Sequence, residues 1–203
     1  MKGGFFMLQS IRVFFAELRR LPVLVESSVQ ELRRVSSLTG AAMLSALNVI
    51  LNQFTVVFSL TQKLGFSFLT VGVSGMLYGP VLTGLIGAGT DILKFFVGPP
   101  NGAFFPGFTL SEFLQGFLYG LFFYQKPVTL KRTFAAKLTT TLVINLTLTP
   151  LWLSMMYGKA FYALVGARLL KNVLMLPVET ALLYFLLKKV REFRPVRNES
   201  HHS

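Results

Sequence analysis

The sequence predicts an all-α integral membrane protein with six transmembrane helices, both termini cytoplasmic, and an N-terminal amphipathic segment. Three observations predict it. The first is composition: 53% of the 203 residues are apolar and 14% are charged, against about 45–50% and about 25% in soluble domains, and mean hydropathy is +0.60. The second is that the charges are bunched near the two ends, with long apolar stretches between them. The third is their sidedness. When the stretches are counted as six spans, fourteen Lys/Arg fall on one face and two, Lys63 and Lys159, on the other. That bias is what the positive-inside rule requires of an even number of spans; five would carry one basic end outside.

Taken in order, residues 1–37 read as a cytoplasmic segment. Phe5, Phe6, Leu8, Ile11, Phe14, Phe15 and Leu18 recur at helical spacing, with Arg12, Arg19 and Arg20 between them. That is the pattern of a helix lying on a membrane surface, and a disordered basic arm is the alternative. The segment has neither an apolar run nor a cleavage site of the signal-peptide kind. A membrane domain follows over 38–190, with spans at about 38–58, 66–79, 80–97, 107–125, 132–156 and 162–187, each judged against the roughly 20 apolar residues a spanning helix needs. The second and third share one apolar run broken at Gly79-Pro80, a strong helix breaker. They are expected to be two short, tilted or bent helices; one span plus a re-entrant segment is the alternative. Residues 191–203 form a basic cytoplasmic tail. The expected location is the cell membrane, as a multi-pass protein.

Composition excludes much chemistry. There is no cysteine, and the two histidines are His201 and His202. No thiolate or interior imidazole is present for a metal site, a haem or a nucleophile–base pair. No enzyme activity, metal or cofactor is expected. No P-loop is present, so the chain itself does not hydrolyse ATP. It is also small for a transporter built from two repeated halves. A membrane binding subunit that draws energy from partners reconciles these facts. The basic ends flank apolar spans, so anionic lipid accounts for them and nucleic acid is not a partner.

Ionisable groups inside spans are functional candidates by default. Asp91 either pairs with Lys94 one turn on or faces a ligand cavity. Arg168, Lys171 and Asn172 form a cationic patch early in the last span. A guanidinium there suits a carboxylate or an internal acid, whereas Lys171 alone reads as snorkelling to the interface. Glu179 is expected to have a structural partner. The stretch 98–110 combines Pro, Gly and three Phe; it reads as a lid or pocket wall able to stack on a flat heterocycle, or else as an interfacial anchor. Ala42 and Ala46, Gly75 and Gly79, and Gly116 and Gly120 have the small-xxx-small spacing of close helix contacts.

Three stretches together resemble a known family. They are Ser28-Val29-Gln30-Glu31-Leu32-Arg33-Arg34 leading into Ala41–Leu47; Tyr78-Gly79-Pro80, Gly84–Asp91, Phe104-Phe105-Pro106-Gly107-Phe108-Thr109-Leu110 and Gly116–Gly120; and Ala167–Asn172 with Leu176-Pro177-Val178-Glu179. Over about residues 28–190 the chain resembles the substrate-binding S components of energy-coupling factor (ECF) vitamin transporters, folate-type members in particular. The resemblance implies six helices with cytoplasmic termini and a vitamin pocket near the outer surface. It also implies partnership with a transmembrane coupling subunit and two ATPase subunits, and release of the vitamin by toppling in the membrane. It places the coupling subunit against Ala42 and Ala46. For folate, the pterin-side candidates are Phe104, Phe105, Phe108, Asn145 and Trp152, and Gly107 is counted with them among the substrate-binding residues. Arg168 and Lys171 are the candidates for the anionic tail, and Asp91 serves the pterin or holds Lys94. An S component for another vitamin such as pantothenate, and a structural membrane subunit that binds no small molecule, are the rival readings.

Overall fold

The computed structural model describes residues 21–54, 56–59, 62–97, 104–158 and 161–193. The amphipathic pattern of Phe5–Leu18, the loop 98–103 and the tail from 194 onward lie outside the described residues. Helix α1 (Leu21–Glu31) precedes α2 (Val35–Gln53), a two-stranded antiparallel hairpin β1 (Val56–Ser59) and β2 (Gln62–Leu64), and the long α3 (Ser67–Val97). Then come α4 (Pro106–Phe123), α5 (Leu130–Thr140), a π-helical segment Thr141–Leu148, α6 (Thr149–Tyr157) and α7 (Phe161–Phe193). The fold is helical, and among the described residues three stretches are long and apolar enough to cross a membrane: Val35–Gln53, Ser67–Val97 and Leu130–Tyr157.

Helix α3 is broken where the sequence places Gly-Pro. Gly79 has φ +78° and ψ −177°, a conformation that costs glycine little and other residues much, and Pro80 brings no N–H. The half before the break packs on α2: the amide of Asn48 donates to Ser67 O at 3.2 Å and to Thr70 Oγ1 at 2.6 Å, and Ala41 clusters with Tyr78 just before the break and Leu82 just after it. The half after it runs antiparallel to α4. At this seam the backbones touch, because a Cβ on Gly116 would strike Thr83 and one on Gly120 would strike Pro80. The small-residue spacing seen in the sequence thus marks the tightest helix contact described.

The sequence reading starts the first span at 38. The structure starts α2 at Val35 and gives α1, assigned by sequence to the cytoplasmic segment, a seat on the bundle: Leu24 packs with Leu121, Tyr124 and Phe117 of the α4 end. The expected helix over 132–156 changes pitch midway. Thr149 N–H bonds to Ile144 O, five residues back, and Pro150, without an N–H, leaves the α-helical ladder short of a donor at that point.

The main core joins Phe68, Val71 and Val73 of α3, Tyr119, Phe122 and Phe123 of α4, Ala135 and Ala136 of α5, and Leu183 and Leu187 of α7. One charge pair is set into it. Lys137 Nζ lies 2.9 Å from Glu179 Oε2, 3.5 Å from the Tyr119 hydroxyl and 4.1 Å from the centre of the Phe68 ring. Lys137 is therefore the partner expected for Glu179, and a residue from each of α3, α4, α5 and α7 meets at this point.

Candidate functional site

The site residues read from sequence gather mainly at the end of the bundle where α4 begins and where α3 and α6 finish. Pro106 opens α4 at its first turn, where a missing N–H costs nothing. This turn presents Gly107, Phe108 and Thr109 to the neighbouring helices. Asp91 Oδ2, near the end of α3, accepts a hydrogen bond from Thr109 Oγ1 at 2.7 Å. The alternative of an Asp91–Lys94 pair is not what the structure forms: among the described residues no ion pair joins them, and the carboxylate turns across to α4 instead.

Trp152 of α6 reaches the same turn. Its indole N–H donates to Ser111 Oγ at 3.0 Å, and Ser111 Oγ donates to Gly107 O at 3.1 Å. The Phe105 ring lies 5.7 Å from Trp152 and 6.0 Å, edge-on, from Phe108. Gly107 allows this approach, since a Cβ there would strike Phe105 and lie 2.6 Å from Trp152 Cδ2. Phe104 stands apart: it is exposed and meets Phe95 of α3 edge-on at 5.3 Å. Asn145 is half-buried in the π-helical segment. Arg168 and Lys171 lie half-buried, one turn apart, on α7, which packs against the π-helical segment and α6.

The structure thus assembles Asp91, Phe105, Gly107, Phe108 and Trp152 into one group, with Asn145, Arg168 and Lys171 on the elements beside it. Sequence reasoning passed over Ser111 and Thr109, the two hydroxyls that fasten Trp152 and Asp91. Ser111 stands one turn after Gly107, which is the only signal it carried. The chemistry available is aromatic faces and an indole for stacking, a half-buried carboxylate to accept from paired N–H donors, and guanidinium and ammonium groups for an anion. Among the described residues no cluster of His, Cys, Asp and Glu could hold a metal.

On α2, Ala42 and Ala46 are exposed, together with Met43, Leu47 and Ile50. Ala41 and Asn48, on the other side of the helix, are buried. The small residues therefore face outward and away from the bundle.

Comparison with known proteins points to one family. A family model, ECF transporter, substrate-specific component, matches residues 36–187. The folate transporter FolT of Clostridium novyi (strain NT) is 36% identical over 159 residues, which is 78% of this chain and 92% of that protein. The folate transporter FolT of Leuconostoc mesenteroides subsp. mesenteroides is 34% identical over 152 residues, 72% of this chain and 81% of its own. A crystal structure of FolT bound with folic acid superposes with a TM-score of 0.72 at 36% identity, covering 77% of this chain and 95% of that one.

Proposed function

This chain belongs to the substrate-specific components of ECF transporters, and from that premise we propose that it binds folate in the membrane and delivers it to an ATP-driven import complex. It is a transport component, not an enzyme. The observation that carries the folate assignment is the 36% identity to a folate transporter across 92% of that protein's length, with a fold shared by a folic-acid-bound relative. The site chemistry supports it. Folate is a flat pterin, rich in donors and acceptors, joined to a glutamate dianion. Phe105, Phe108 and Trp152 offer faces to the pterin, and Gly107 lets Phe105 and Trp152 close in beside each other. Asp91 and Asn145 offer polar edges, and Phe104 extends the aromatic surface. Arg168 and Lys171 suit the glutamate carboxylates.

In this reading the chain is a multi-pass protein of the cell membrane with six spans, α3 counted as two, and both termini in the cytoplasm. The charge bias read from the sequence supports that orientation, which sets the start of α4 and the aromatic group at the outer face. Ala42 and Ala46 would meet a transmembrane coupling subunit, which works with two ATPase subunits.

The test is a titration of the purified chain in detergent with folic acid, following Trp152, the single tryptophan, with calorimetry alongside. Saturable binding displaced by folate analogues, and unaffected by pantothenate or thiamin, is the expected result. Heat with another vitamin and none with folate would retire the folate assignment.

A further inference from the structure

Three backbone groups stand beside the break in α3: the carbonyl of Tyr78 and the amides of Val81 and Leu82. One side chain meets all three. The hydroxyl of Ser28, on α1, donates to Tyr78 O at 2.9 Å and accepts from Val81 N at 3.0 Å and Leu82 N at 3.3 Å. Ser28 is fully buried. The fit is close, since a Cβ on Gly79 would lie 2.8 Å from the Ser28 side chain.

One turn further along α1, Glu31 reaches α2. Its carboxylate accepts from the hydroxyl of Ser37, in the first turn of α2, and from the Arg34 guanidinium at 3.2 Å. The two attachments meet again through Tyr78, whose carbonyl Ser28 holds and whose hydroxyl lies directly against Gly40 of α2. Immediately after Gly40, α2 turns its outward face of Ala42, Met43, Ala46, Leu47 and Ile50 to the surroundings.

We propose that α1 is a bracket that sets the tilt of the outward face of α2 relative to the α3–α4 seam, and that Ser28 and Glu31 are the positioning residues through which it acts. They touch neither the aromatic group nor Asp91, which lie at the opposite end of α4. The bracket's effect falls on docking of the coupling subunit and not on capture of the vitamin. This inference rests on the folate-import reading above.

The test uses the full chain reconstituted in liposomes with the coupling subunit and its two ATPase subunits. Folic acid affinity, affinity for the coupling complex in the absence of folic acid, and ATP-dependent folic acid uptake are measured for wild type, Ser28→Ala, Ser28→Cys and Glu31→Ala. For Ser28→Ala the expected result is a folic acid Kd within twofold of wild type, with coupling affinity and uptake each reduced at least fivefold. Ser28→Cys, which keeps a weak donor and acceptor of similar size, falls between. Glu31→Ala shows the same split with the α3 break untouched, so it decides the matter if Ser28→Ala does not fold. Unchanged coupling affinity in Glu31→Ala, or ligand and coupling affinity falling together in both variants, overturns the bracket. A wild-type chain that binds no folic acid retires the folate reading alone, because the ligand-free coupling affinities still test the bracket.

Discussion

Where α4 ends, Gly120 lies against Pro80, Ser28 bonds to the broken helix α3, and Tyr119, Phe122 and Phe123 are all but inaccessible. Where α4 begins, the side chains of Asp91, Phe105, Phe108 and Trp152 are half-buried, and each polar group described is fastened by a single hydroxyl. The first end has its backbone groups satisfied and no room to adjust. The second has aromatic faces and hydrogen-bonding capacity left over. This division suits the proposed folate-binding component, with its ligand at one end and a fixed surface near the other, and the Lys137–Glu179 pair adjoins the packed end through Tyr119.

The largest expected effect comes from that pair. Lys137→Met strands Glu179 in the core and is expected to cost about 3–5 kcal/mol of stability, read by unfolding in detergent. Adding Glu179→Leu recovers most of the loss, because the cost lies in the unpaired charge. Next, Gly120→Ala forces a methyl onto the backbone at Pro80 and is expected to destabilise by about 1–3 kcal/mol while leaving folic acid affinity within twofold. Arg168→Ala is expected to behave in the opposite way: binding weakens more than tenfold, at least about 1.4 kcal/mol, with the melting temperature unchanged. An unchanged dissociation constant would remove Arg168 from the tail site. If Gly120→Ala and Arg168→Ala altered stability and binding alike, the two ends would not be separate in function.

The smallest effect lies in the loop after α4. Lys126 Nζ donates to Leu121 O at 2.6 Å, yet burial, followed by the nearby Arg132, lowers its pKa to about 8. A lysine whose folded pKa is depressed holds its proton less well folded than unfolded. Its cost to stability is therefore full below pH 8 and fades as the pH rises toward 10.5. Lys126→Gln is expected to stabilise the chain slightly at pH 7, by under about 1 kcal/mol because solvent screens a half-buried group, and the gain should vanish near pH 10. Melting curves at the two pH values check this.

Much of this was legible locally. Gly79-Pro80 announces a break because neither residue sustains an ordinary helix there, and Gly116 and Gly120 announce a close seam because their spacing puts both on one helix face. Phe105, Gly107 and Phe108 were legible as a group because they are neighbours in sequence. What stayed hidden is long-range. Glu179 signals that it needs a partner, but nothing in the chain says that Lys137, 42 residues earlier, supplies it. Asp91 has a cation one turn away, and sequence spacing favours that pair; tertiary packing instead delivers Thr109 from the next helix. Ser28 looks like any serine of a polar segment until the fold brings a broken helix against it. The pitch change at Thr141–Leu148 depends on a proline six residues after Ile144 and on neighbours that let the ladder slip, which a hydropathy pattern does not encode.

The break in α3 also has a consequence for the lipid. The half running from Ser67 to Tyr78 is about 18 Å long at 1.5 Å per residue, well short of a hydrocarbon layer about 30 Å thick. Eight of its twelve residues are buried among neighbouring helices, so the bundle shields most of this half from lipid. A helix too short to span is thus carried by its neighbours, and membranes of different thickness are expected to change the chain's stability little through this half.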